Sequence, residues 1–168
     1  MQPIKIFVVQ FVLSIFAWVI IARWFVISWI KTRSALEVLP VLIIPQLFRH
    51  IGATLLVPGV AASSLPPLFA VSTAYGDIAT ALLAMLSVSA LKLRWKQALT
   101  IVWIFNIFGS LDMVHSLIQG ARLKVAPHLG AAWVVPTFVV PMMLTIHFLV
   151  FYTLVREQTS KGSQRESS

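Results

Sequence analysis

The sequence predicts an all-α integral membrane protein, a bundle of five transmembrane helices with its N-terminus outside and its C-terminus in the cytoplasm. Three observations carry that expectation. Of the 168 residues, 59% are hydrophobic and 11% charged, and mean hydropathy is +0.92, where a soluble domain runs at about 45–50% apolar and about 25% charged. A chain with that excess has more apolar surface than one core can bury, so hydrocarbon must be part of its solvent. The apolar residues fall into five runs, 6–30, 36–60, 68–91, 98–118 and 131–155, each close to the roughly 20 residues that cross a bilayer. Lys and Arg gather in the short connections: Lys31, Arg33, Lys92, Arg94, Lys96, Arg156, Lys161 and Arg165 fall on one side and only Lys5, Arg122 and Lys124 on the other. The positive-inside rule places the richer side in the cytoplasm.

The same charge count has a second use. A net charge of +8 would suggest nucleic acid in a soluble protein. Here the cations are absorbed by membrane orientation, and no zinc finger, RNA-binding signature or basic helix with interleaved aromatics is present, so no nucleic-acid partner is expected. The absence of cysteine excludes disulfides, thiolate metal sites and thiol catalysis. There is no GxSxG elbow and no phosphate-cradling glycine loop.

The first run, 6–30, begins like a signal peptide but is too long and lacks a small-residue cleavage site before Arg23. It is expected to stay as a helix. The second, 36–60, is interrupted by Pro40 and Pro45, each of which removes a backbone donor, and carries Arg49 and His50 about a turn later. Residues 59–67, GVAASSLPP, read as a tight non-helical connection. The third run, 68–91, holds Asp77, with Ser72, Gly76, Thr80 and Ala84 at four-residue spacing. Such a stripe of small residues lets a neighbouring backbone approach and is a possible face for a second copy or a partner membrane protein. The fourth, 98–118, carries Asn106, Gly109, Ser110, Asp112 and His115, and the fifth, 131–155, carries Pro136, Pro141 and His147. Residues 156–168 are polar and are expected to be a disordered cytoplasmic tail.

Counting inward from the cytoplasmic ends at helical rise, Arg49, Asp77 and Asp112 all lie at about 20 Å. A carboxylate or guanidinium alone in hydrocarbon costs at least a few kcal/mol, and Arg offers a fork of donors to two acceptors. Arg49 is therefore expected to pair with Asp77, Asp112 or both. His50 falls at the same height and His115 one turn further out, giving the candidate ligand or proton site Arg49, His50, Asp77, Asp112 and His115. Asn106 and His147, at a different depth, form a secondary polar pair. An ion cluster of this kind also fixes which helix packs on which, and that purely structural reading stands beside the functional one. Haem would need two imidazoles at one depth on facing helices, which only His50 and His115 approach. A dinuclear metal site would have to tolerate Arg49 among its ligands. No cofactor and no metal is therefore predicted.

With those residues in place, the chain resembles a group of small five-span bacterial inner-membrane proteins without an assigned activity. PQLFRHIG at 45–52, AYGDIATALLA at 74–84, WIFNIFGSLDMV at 103–114 and VPTFVVPMMLTIHFL at 135–149 carry the likeness across four of the five runs. The matching positions are Gly76-Asp77, Asn106-Gly109-Asp112 and Pro136-Pro141-His147; Thr73-Ala74-Tyr75 stand where small residues and Pro are more usual. The resemblance implies a five-span helical fold in the cell inner (plasma) membrane and treats the polar residues as one unit.

The functional expectation is a non-enzymatic membrane protein, a small permease or proton-coupled carrier subunit in which the carboxylates exchange protons, Arg49 tunes them and His50 or His115 relays. Five helices are few for a complete carrier, so a homodimer or a partner membrane protein is expected. Two alternatives remain open at this point: a structural or assembly factor of a membrane complex, and a membrane redox (haem) or lipid-modifying enzyme using His.

Overall fold

The computed structural model describes residues 3–166, with side chains described as far as residue 159. Among the described residues the elements are helices and no strand occurs. Five of these helices are long and apolar enough to cross a membrane: α1 Pro3–Lys31, α2 Ala35–Leu56, α3 Pro67–Lys92, α4 Ala98–Arg122 and α5, which takes in Gly130–Thr159.

Helices α2 to α5 close into a ring: α2 packs on α3, α3 on α4, α4 on α5, and α5 back on the first half of α2. α1 stands outside that ring and leans on α5. Its most apolar stretch buries none of its residues, and Leu13 and Phe16 are about three-fifths exposed. A water-facing surface of that kind would drive association, whereas hydrocarbon leaves it satisfied. α1 is tied to α5 at three levels. Trp133 donates its indole N–H to Gln10 at 2.6 Å, Trp18 meets Phe138 with ring centroids 5.6 Å apart, and Arg156 donates to the carbonyls of Ile30 and Lys31. The last tie sets a cation at the C-terminal carbonyls of α1, which the helix dipole favours.

α2 is two helices in one. Ser34 and Glu37 form a capping box at its start, and α-helical geometry holds over Ala35–Ile43. Pro45 has no N–H to return to the preceding turn, and the chain tightens into a 3₁₀ helix over Ile44–Leu56. The buried residues of that segment are Gln46, Arg49, Gly52 and Leu55, one every three positions. Three residues per turn is the 3₁₀ repeat, so all four share one face, directed into the bundle. In α-helical geometry each step turns about 100° rather than about 120°, and the stripe would wind about halfway round the helix from Gln46 to Leu55.

α3 and α4 are antiparallel and in register. Ser72 donates to Gln119 at 3.2 Å and Thr73 to Ser116 at 3.3 Å, while the backbone of Gly76 lies against Asp112 and the Thr80 methyl against Gly109. The small-residue stripe of α3 is thus occupied within the chain by α4. It is not free to serve as a contact face for a second copy, because its value, close approach of backbones, is already used.

Two apolar clusters fill the bundle. The larger, including Leu39, Ile43, Ala84, Val102, Phe105 and Val150, lies toward the end that carries Lys31, Lys92 and Arg156. The smaller, including Leu55, Phe69, Val125 and Leu129, lies toward the opposite end. There the two connections brace each other: Ala131 N–H donates to the Val60 carbonyl at 2.7 Å and Ala62 N–H to the His128 carbonyl at 3.0 Å. Gly130 adopts φ +53°, and a Cβ on it would sit 2.4 Å from the Val60 oxygen, so only glycine allows that brace.

The polar segment from residue 156, expected to be disordered, continues α5 as helix to Glu166. Extending a formed helix adds one hydrogen bond per residue fixed, while stopping it requires a cap. Residues 167 and 168 of that segment lie outside the described residues.

Candidate functional site

Between the two apolar clusters lies a polar layer to which every helix of the ring contributes. Arg49 comes from the 3₁₀ face of α2 and is 4% exposed. Its Nε donates to Oδ1 of Asp77 on α3 at 2.6 Å, and its Nη2 donates to Oδ2 of Asp112 on α4 at 2.7 Å. Nη1 donates to the carbonyl of Gly109 at 3.0 Å and to Nε2 of His147 on α5 at 3.1 Å. One guanidinium therefore joins three other helices. Its planar fork suits this, because several donors in fixed directions meet acceptors from different backbones.

The same logic fixes the histidine. Arg only donates, so Nε2 of His147 accepts, and the ring proton sits on Nδ1, which donates to Oδ1 of Asn106 at 2.7 Å. The Asn106 amide then donates to the His147 carbonyl at 3.1 Å. Asn106 and His147, expected as a separate pair, belong to the Arg49 cluster. Depth counting compares backbone heights, whereas the long Arg49 side chain reaches along the bundle to the Gly109 carbonyl and His147 together.

Two glycines make room for the carboxylates. Oδ2 of Asp77 would lie 1.8 Å from a Cβ on Gly52, and Oδ1 of Asp112 would lie 1.8 Å from a Cβ on Gly76. Each acid thus turns one oxygen to Arg49 and rests the other on a bare glycine Cα of the neighbouring helix. Neither Gly52 nor Gly76 would be replaceable without moving an ion pair that has no other place to go.

His50 and His115 are not hydrogen-bonded into the cluster. The His50 ring is exposed, its Nδ1 donating to the Leu47 carbonyl at 3.0 Å. His115 accepts from Gln119 at 3.0 Å one turn along α4 from Asp112. Neither is hydrogen-bonded to Arg49, Asp77 or Asp112. His50 directly follows Arg49, and the next residue of a helix turns by about 100–120°, away from the buried face. Among the described residues, no group of three or more His, Cys, Asp or Glu is placed to hold a metal ion.

Three features were beyond the reading of the residues. Gln46, one 3₁₀ turn before Arg49, is fully buried; its amide donates to the Met143 carbonyl at 3.3 Å, while its Oε1 has no partner. Gly52 makes the contact just described. Both are legible in hindsight as the period-three stripe that follows Pro45. The third feature is a cavity of about 820 Å³ between α1, α3 and α4, with Arg49 and Asp77 at its floor and Lys124 at its opposite end. That volume falls within the roughly 300–1,000 Å³ range of small-molecule sites. Its walls are largely apolar, including Phe7, Phe11, Phe69, Met113, Leu117 and Val140.

No curated protein and no solved structure matches the chain. A family does: its match runs over residues 6–155, from the first apolar run to the end of the fifth, and takes in every residue of the polar layer. The chain belongs to the family described as a domain of unknown function, DUF8737.

Proposed function

We propose that the protein is a small multi-pass membrane permease or carrier subunit that takes a lipophilic molecule into the cavity between α1, α3 and α4. The observation that carries this is the cavity itself: an apolar chamber of about 820 Å³ whose floor is formed by Arg49 and Asp77. Its walls suit a solute that partitions into the bilayer rather than a hydrated one, because apolar lining gives no replacement for a lost hydration shell. α1, held to α5 while its own outer face stays exposed, is the wall past which a solute would enter from the lipid.

The Arg49 cluster supports the carrier reading by placing proton-exchanging carboxylates at that chamber: Asp77 lines it, and Asp77 and Asp112 share one guanidinium that keeps its charge. In this reading the carboxylates exchange protons directly, since His50 and His115 are not hydrogen-bonded to them and His147 meets the cluster through Arg49. The Lys and Arg distribution orients the bundle with Lys31, Lys92 and Arg156 on the cytoplasmic side of the inner membrane.

The assembly-factor reading is favoured by one observation. Arg49 is hydrogen-bonded to three separate helices, which is what a structural lock requires. Reconstitution separates the two. With a neutral lipophilic fluorophore as probe, proteoliposomes of the parent should bind and exchange it faster than protein-free vesicles, and Asp77→Asn should slow that exchange in folded protein. Folded Asp77→Asn and Asp112→Asn proteins that match the parent, or a parent no faster than empty vesicles, would end the carrier reading and leave the lock.

A further inference from the structure

The charges lining the cavity are Arg49, Asp77 and Lys124. Arg49 and Asp77 are spent on each other at 2.6 Å, and the remaining donors of Arg49 are directed at Asp112, Gly109 and His147. The floor therefore offers no free cation to a ligand. Lys124 differs: it is exposed, and among the described residues its ammonium has no hydrogen-bonding or ionic partner.

From Lys124 the lining follows one face of α4 through Ala121, Gly120, Leu117 and Ser116 to Met113. Eleven residues at helical rise make a track about 16 Å long, apolar for most of its length. The end of the bundle that carries Lys124 is also one-signed. Lys5, Arg122 and Lys124 belong to it, while the five acids of the chain are Glu37, Asp77, Asp112, Glu157 and Glu166, none of which lies there. A positive mouth over a long apolar track is complementary to an anionic head on a hydrocarbon chain.

We infer that the cavity binds a long-chain anionic amphiphile, with a carboxylate or phosphate monoester head at Lys124 and its hydrocarbon chain along α4 toward Met113. This rests on the lipophile-binding reading above and narrows it to a ligand class. A cationic amphiphile would meet a mouth of its own sign, and a neutral one would leave Lys124 without a role.

Lys124 also permits a clean test. It occupies the left-handed region at φ 52°, at the turn after α4 where the Val125 N–H closes on the Gly120 carbonyl. Glycine adopts that conformation more readily than lysine, so Lys124→Gly removes the charge without straining the fold.

The full chain in a neutral detergent would be equilibrated with radiolabelled hexadecanoate, hexadecyl phosphate, hexadecanol or hexadecylamine, and bound ligand counted after gel filtration. At least one of the two anions should bind tenfold or more tightly than the alcohol and the amine, and which one does so distinguishes a carboxylate from a phosphate head. Lys124→Gly should reduce the anion to the affinity of the alcohol while leaving the alcohol unchanged. Ala121→Trp, which fills the track, should weaken all four. Alcohol or amine binding as tight as either anion, or an anion unaffected by Lys124→Gly, would overturn the head-group assignment and leave the lipophile site standing. If none of the four ligands binds in a manner sensitive to Ala121→Trp, the lipophile site falls as well.

Discussion

Asp77 holds Arg49 with one carboxylate oxygen, at 2.6 Å from Nε, and presses the other onto Gly52, where a Cβ would lie 1.8 Å away. Arg49 and Gly52 are one 3₁₀ turn apart on α2, so a single turn of that helix supplies both the cation and the gap that the acid needs. The ion pair and the close helix approach are one feature and stand or fall together.

Gly52→Ala should therefore destabilise the protein by at least the roughly 1–3 kcal/mol typical of overpacking, because the displaced group is a buried carboxylate rather than a flexible apolar chain. Gly120→Ala is the control: its Cβ would meet nothing closer than 3.4 Å. Thermal unfolding in detergent should show a clear drop for the first variant and little for the second. Equal midpoints would mean that Asp77 does not sit against Gly52.

Asp77→Asn and Asp112→Asn should each be tolerated better than the two together. Either single change leaves Arg49 one carboxylate, whereas the double change leaves a buried cation facing none, and breaking a buried pair costs about 3–5 kcal/mol. The expected signature in unfolding midpoints is a double variant less stable than the sum of the singles. Strict additivity would show that the acids do not share Arg49.

His147→Leu should strand two groups, Oδ1 of Asn106 and a donor of Arg49, at about 1–3 kcal/mol for each buried polar group left unpaired. Adding Asn106→Leu removes one of the stranded groups, so the double variant should recover part of the loss. Its stability relative to His147→Leu alone is the quantity to measure, and a further fall would contradict the bonding assigned here.

Gln46→Met should be neutral or stabilising. Oε1 of Gln46 is buried without a partner, and replacing an unsatisfied group by an apolar one of similar length removes its desolvation cost. Should binding or exchange of a lipophile fall while stability rises, Gln46 has a use beyond the fold.

Pro45→Ala gives the sharpest test of the 3₁₀ segment. In an ordinary helix interior, exchanging Pro for Ala gains about 3 kcal/mol. Here the restored N–H favours α geometry and would swing Gln46, Arg49, Gly52 and Leu55 off their common face. The unfolding midpoint should fall, opposite to the usual sign. A more stable variant would show that Pro45 merely tolerates the tight turn.

The five apolar helices were legible in the residues because hydrophobic length is a local property, fixed by each run independently of the others. The pairing of Arg49 with acids on two other helices followed from the cost of leaving any of the three alone, an argument that needs only their approximate depths. That His147 rather than His50 is hydrogen-bonded to Arg49 has reasons that depth counting does not contain. The Arg49 side chain is long enough to bond His147 and the Gly109 carbonyl together, and His50, the residue after Arg49, is turned off the buried face of α2.

What the amino-acid order determined by itself is five helices long and apolar enough to cross a membrane and the set of polar groups among them that must find one another. Which groups meet was decided in three dimensions. The direction a side chain takes depends on the pitch of its helix, and in α2 that pitch is set jointly by Pro45 and by the neighbours whose ion pairs reward a repeat of three. The cavity likewise belongs to no single run: it is the space left where α1 leans on α5 rather than on α4, and only the packing of whole helices creates it.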